Sequence, residues 1–204
     1  MKDEWRGLQL FVGLLLLVAS FILPVSKAAV LAAEGARIEE LAVINSEQDL
    51  LFYCLLRDAF SPEMEQGVKN GIPVSFNFFV ELYQTRDGGG ERKVIDRSFS
   101  HIMTYDSLKE QFTVELEEHG GLALSFQELE EARSAMNRVN DFHLVELAAM
   151  EKRSGYVVRV RARLAKKDLP LNFQYIMPFG QLWTFETDWK SLAFSYGKPG
   201  STAE

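Results

Sequence analysis

The 204-residue chain has a single cysteine, Cys54, so no disulfide can close within it and the fold must be held by its apolar core. Cys54 lies in the run LLFYCLL (residues 50–56), where the expected role is a small buried hydrophobe. A reactive thiolate would need exposure and a neighbouring base. Histidine is scarce as well. His101, His119 and His143 are too far apart in sequence for an HxH or HxxxH metal pair. No GxSxG elbow is present for a serine hydrolase. The triple glycine at residues 88–90 precedes the charged stretch Glu91-Arg92-Lys93-Val94 and no helix start, so it lacks the donor array of a phosphate-binding loop. Excess positive charge is also missing. The 22 basic residues against 29 acidic ones give a net charge of −7, which repels phosphate backbones and argues against nucleic acid as a partner. Carboxylates cluster at Glu115, Glu117 and Glu118 and again at Glu128, Glu130 and Glu131. A glycosidase needs two of them facing across a cleft about 5–10 Å apart, and a solvated face is the default reading. No cofactor and no metal is expected.

What the chain does have is a strongly apolar start. Residues 7–25 carry no charge, with only Gln9 and Ser20 as polar interruptions. As a helix this segment would measure roughly 28 Å, close to the ~30 Å hydrocarbon thickness of a bilayer. It is long for the apolar part of a signal peptide and just sufficient for a spanning anchor. Pro24 breaks the helix, and the small residues Ser26 and Ala28, or Val30 and Ala32, fit a cleavage pattern. Cleaved signal and uncleaved anchor both stay open. No cysteine follows the apolar run, which excludes a lipoprotein. The expected organisation is a signal peptide or membrane anchor at 1–28, a linker at 29–36, a β-rich envelope domain at 37–196 and a disordered tail at 197–204. The expected location is exported, in the periplasm of a Gram-negative cell, with residues 7–25 able to hold the protein in the inner membrane.

Beyond Arg37 the dominant period is two. Ile72, Val74, Phe76, Phe78, Val80 and Leu82 alternate with Pro73, Ser75, Asn77, Phe79, Glu81 and Tyr83, as in a long strand with one apolar face. Tyr156, Val158, Val160, Ala162 and Leu164 alternate with Val157, Arg159, Arg161 and Arg163. Residues 48–60, 94–105 and 111–117 are further strand candidates, and residues 85–92, with Asp87-Gly88-Gly89-Gly90, read as a hairpin turn. Two helices are expected. One starts at the N-cap Ser61, with Pro62 and Glu63 in its first turn, and stops at Asn70-Gly71. The other starts at Ser125 with a Ser125/Glu128 capping box and a Leu124/Leu129 staple, and ends near Asn140. Short turns and few crossovers point to a mainly β fold: an antiparallel β-sandwich or sheet with two short helices, preceded by the N-terminal signal or anchor helix.

Two features carry a binding signal. Arg159, Arg161 and Arg163 share one strand face and Lys166-Lys167 follow, forming a basic ridge on an acidic chain. Pairing with cross-strand acids such as Glu81 or Glu117 is the plain reading, and recognition of an acidic partner or anionic lipid is the sharper one. Residues 169–194 concentrate Trp183 and Trp189 with Phe173, Tyr175, Phe179 and Phe185. Trp183, Phe185 and Thr187 alternate as a last strand would, and either core closure or an aromatic recognition patch follows.

These segments resemble a bacterial family known as domain of unknown function 4390. The resemblance rests on NGIPVSF at residues 70–76, MTYD at 103–106 followed by Leu108, LEEA at 129–132, and an ending with RARL at 161–164, LPLNFQ at 169–174, Trp183, Thr187 and Trp189. It implies an exported or membrane-anchored protein without an assigned activity, in some relatives encoded near a sensor histidine kinase. The expected function is a non-enzymatic cell-envelope module, membrane-anchored or periplasmic. Its expected partner is a membrane component or an envelope or inner-membrane protein, such as a sensor kinase or a membrane complex. Two alternatives stand beside it: an envelope hydrolase using a carboxylate pair, and a sandwich carrying a hydrophobic ligand between its sheets.

Overall fold

The computed structural model describes residues 35–86, 88–165 and 183–197. The expected export segment, Lys166, Lys167, Phe173, Tyr175, Phe179 and all but the first residue of the expected tail lie outside the described residues. The chain order is β1 (Arg37–Asn45), β2 (Asp49–Arg57), α1 (Pro62–Lys69), β3 (Val74–Thr85), β4 (Glu91–Asp106), β5 (Gln111–Leu116), β6 (Leu122–Phe126), α2 (Leu129–Asn137), β7 (Arg138–Glu146), β8 (Gly155–Leu164) and β9 (Lys190–Ser195). The strands form two sheets, ordered β1-β2-β7 and β6-β5-β4-β3-β8-β9, with every pairing antiparallel. The mainly β, antiparallel expectation with two helices is met. Among the described residues no helix is long and apolar enough to cross a membrane.

β3 sits inside the larger sheet, between β4 and β8, and its alternation decides what both faces show. Val74, Phe76, Phe78, Val80 and Leu82 are all buried. Each such side chain contributes roughly 1.5–3 kcal/mol relative to exposure. The hairpin to β4 closes with Thr85 opposite Glu91. Arg86 N–H donates to the Gly90 carbonyl at 2.7 Å, and Gly88 and Gly89 take φ of 102° and 89°, a region that glycine enters without steric cost. The two sheets meet through rings: Phe99 of β4 lies 4.7 Å from Phe142 of β7, centroid to centroid, and 5.5 Å from Phe78 of β3. Phe52 of β2 meets Phe142 edge-on at 6.3 Å. Aromatic contacts thus join the two sheets within a core that Val, Leu, Ile and Met complete.

α1 forms as its sequence dictates. The Ser61 hydroxyl accepts from Met64 N–H at 3.3 Å, Pro62 opens the first turn with Glu63 and Glu65 beside it, and the chain leaves through Asn70 and Gly71. α2 departs from expectation. Ser125 pairs with Thr113 inside β6, so the capping box and the Leu124 staple do not form; Glu128 is the N-cap and makes no side-chain cap bond. The stretch LALSF (residues 122–126) extends the sheet by a run of ladder bonds, and together these outweigh a cap contributing about 1 kcal/mol. α2 ends at Asn137 and passes directly into β7, so Val139, which the expected helix to Asn140 would include, is a buried strand residue. β7 hides its period because Asp141 adopts φ 50° at a register shift, and the Tyr53 hydroxyl donates to its carboxylate. The expected last strand at residues 183–187 is reduced to an isolated bridge between Glu186 and Arg163, and β9 follows it. Thr187 there imitates a strand neighbour. Its N–H donates to the Ala162 carbonyl at 2.9 Å and its hydroxyl accepts from Ala162 N–H at 3.0 Å.

Trp183 packs inward. Its indole lies over Gly67 of α1, where a Cβ would fall 1.9 Å from the ring carbon Cη2. Glycine within a helix normally costs about 1 kcal/mol relative to alanine, so close approach of the indole accounts for its presence. Gly67→Ala is expected to destabilise the protein by about 1–3 kcal/mol through overpacking. In a Trp183→Ala background the same change should stabilise by up to about 1 kcal/mol. Urea unfolding of the four proteins in this cycle checks the reversal of sign.

Candidate functional site

The outward face of the six-stranded sheet is built by the residues that the core rejects. On β3 these are Ser75, Asn77, Phe79, Glu81 and Tyr83; on β8 they are Val157, Arg159, Arg161 and Arg163. The register sets Arg159 opposite Glu81, Arg161 opposite Phe79 and Arg163 opposite Asn77. Long guanidinium side chains then reach diagonal neighbours. The Arg159 guanidinium lies 4.5 Å from the Tyr83 ring centre. Arg161 sits between two rings, 5.2 Å from Phe79 and 4.7 Å from Trp189. Arg163 lies 4.7 Å from Phe79 as well. The result is a series of cation–π contacts across two strands and the segment before β9, each adding about 0.5–1 kcal/mol where exposed.

Cross-strand pairing is also present, with acids other than the expected ones. One Arg159 terminal nitrogen donates to both Glu91 carboxylate oxygens at 2.7 and 3.0 Å, and Arg161 donates to Glu186 at 2.6 Å. Glu81 is held instead by the Lys93 ammonium at 2.5 Å and the Tyr83 hydroxyl at 2.8 Å. Glu117 accepts from Ser100 N–H at 2.7 Å. Among the described residues Arg163 is exposed and no acid pairs with it, and Arg161 keeps a buried Nε without an acceptor. Trp189 remains 40% exposed. Of the predicted binding residues, the structure therefore gathers Arg159, Arg161, Arg163 and Trp189 on one face and assigns Trp183 to packing. Lys166 and Lys167 lie outside the described residues. Sequence reasoning missed Phe79 and Tyr83; their signal was two aromatics in the outward phase of an alternating strand.

The interior holds a different polar group. His101 is fully buried on β4, with Nδ1 donating to the Met136 carbonyl at 2.9 Å and Nε2 facing Glu118 Oε1 at 2.7 Å. Both side chains are closed to solvent. Because a carbonyl can only accept, Nδ1 carries a proton, and one further proton lies between Nε2 and the carboxyl group. Burial pushes the Cys54 thiol well up from its ordinary value, and the nearby Glu118 carboxylate adds to it. Cys54 is therefore a thiol without nucleophilic character. Among the described residues no three His, Cys, Asp or Glu side chains converge to hold a metal ion.

Burial pushes the Glu81 carboxyl up, and the Lys93 ammonium with the Tyr83 hydroxyl outweighs this, leaving it below the usual 4.5. A depressed carboxyl contributes stability above its unfolded-state value and loses it as the pH falls through the lowered folded-state value. Glu81→Gln should thus cost about 0.5–1 kcal/mol at about pH 7. The difference from the parent protein should shrink as the pH drops below 4.5, as urea midpoints measured across that range would show.

Residues 33–193 match the model of a family described as Domain of unknown function (DUF4390), and the chain belongs to that family. No curated protein and no solved structure matches the chain.

Proposed function

We propose that this family member is a non-enzymatic cell-envelope protein that binds a partner protein through the outer face of its six-stranded sheet. The carrying observation is the cluster in which Arg161 and Arg163 both contact the Phe79 ring while Arg161 also meets Trp189. Arginine and large aromatics dominate the binding energy of protein interfaces, because they bring wide contact area together with directional donors. Here their conformations are already restricted by mutual stacking, so less side-chain freedom is lost on binding. Arg163 adds a cation that no acid among the described residues pairs with, which suits a partner that presents carboxylates.

Envelope location is supported by energetics at the start of the chain. An uncharged, apolar stretch at residues 7–25 is costly in water and favourable in a bilayer or a translocon. The partner is accordingly an envelope or inner-membrane protein, with a sensor kinase one such candidate. One feature favours surface recognition over a ligand carried between the sheets: the aromatic seam between them is packed ring against ring.

Crosslinking pull-down of the full chain from membranes of the native cell tests the reading. Arg163→Glu and Phe79→Ser should each weaken recovery of the specific partner at least tenfold, about 1.4 kcal/mol, while a Lys109→Glu control on the β4–β5 turn retains it. Unchanged recovery with both variants contradicts the assignment of this face.

A further inference from the structure

One end of the same sheet carries a second feature, which goes beyond the binding face. The end of β3, the start of β4, the turn entering β8 and the end of β9 enclose a cleft of about 580 Å³. Small-molecule sites commonly fall between about 300 and 1,000 Å³. Its walls are mainly polar, lined by Arg86, Arg92 and Arg153 together with Thr85, Glu151 and Ser154.

Gln84 organises this cleft. It is 5% exposed, and its amide oxygen accepts from the Arg92 guanidinium at 2.6 Å. Its amide nitrogen donates to Glu151 at 2.7 Å and to the Ser154 hydroxyl at 3.3 Å. Glu151 also lies 4.0 Å from Arg92, so this glutamate, the one acid among the described lining residues, is engaged from two sides. Arg86 and Arg153 are different. Among the described residues no acid or carbonyl receives their guanidinium groups, and both are exposed at the rim. Among the described residues lining the cleft, three arginines stand against one glutamate, on a chain whose net charge is −7.

The turn that presents Arg153 is held in an unfavourable shape. Arg153 has φ 66°, a left-handed conformation that a side-chain-bearing residue rarely adopts, and its N–H is tied to the Tyr196 carbonyl at 2.8 Å. Two residues later, Gly155 lets the turn close on the hairpin, since a Cβ there would come within 2.4 Å of Thr85 Oγ1. Such backbone strain clusters where a ligand is clamped.

We propose that this cleft is a binding site for a small phosphorylated polyol. Arg86 and Arg153 take the phosphate oxygens, as planar guanidinium forks do. Thr85 and Ser154 bond the ligand hydroxyls. The same chemistry is found in soluble phosphate esters and in the glycerol phosphate headgroup of an anionic lipid.

The test is titration of the full chain in detergent with glycerol 3-phosphate at constant ionic strength, read by calorimetry. One saturable site is expected, weakened at least tenfold by Arg86→Gln and by Arg153→Gly. The latter removes the guanidinium while suiting the left-handed backbone, so it preserves the fold. Arg163→Gln should bind as the parent does, which separates this site from the sheet face. Sedimentation with phosphatidylglycerol vesicles distinguishes the sources. Vesicle binding that glycerol 3-phosphate competes away assigns the lipid headgroup, and binding of the soluble ester alone assigns a free metabolite; either upholds the site. Absence of saturable binding, equal affinity in the Arg86 and Arg153 variants, or loss in Arg163→Gln would overturn it.

Discussion

Burying Val74, Phe76, Phe78, Val80 and Leu82 on one side of β3 obliges Asn77, Phe79, Glu81 and Tyr83 to face the other way. A slip of one residue would place five apolar side chains in water, so the register is strongly specified. Everything outward follows from that register. β8 docks with its own apolar phase inward, which sets the arginine row beside Phe79 and Tyr83. The series of cation–π contacts is the reverse side of the hydrophobic core, set by the same alternation.

The core also carries two buried ionisable side chains, His101 and Glu118, bonded to each other. Within the seam formed by Phe78, Phe99 and Phe142, His101 is satisfied at both ring nitrogens by Met136 and Glu118. Taking a carboxyl and an imidazole out of water costs several kcal/mol each, and their mutual hydrogen bond offsets this only with good geometry. The pair joins β4 to the turn after β5 and to the C-terminal end of α2. α2 is tied in turn to α1 by Arg133, which bridges Glu65 at 2.8 Å. Polar contacts thus fix how the helices cap the sheets, while apolar contacts supply the driving force.

Long alternating segments were legible before any coordinates, because period two persists in β3 and β8 and because glycines mark the hairpin between β3 and β4. α1 was legible through its cap and first-turn proline. β6 was misread because Ser125 and Glu128 satisfy a local capping pattern that pairing with β5 overrides. β7 was hidden by Asp141, whose left-handed backbone breaks the alternation. The arginine row was readable in one strand. Its partners were not, since Tyr83, Glu91 and Glu186 come from distant segments that only the sheet brings together. The arginine cleft was invisible for the same reason: Gln84 meets Ser154, which lies 70 positions further along the chain.

The account stands on the outward phase of β3 being a recognition surface. The most direct measurement is site-specific photocrosslinking in the native cell, with p-benzoylphenylalanine replacing Phe79 and, separately, Leu122 at the far edge of the sheet. The account predicts one discrete crosslinked protein from position 79 and none of that mass from position 122. No product at 79, or the same product from both positions, would contradict it.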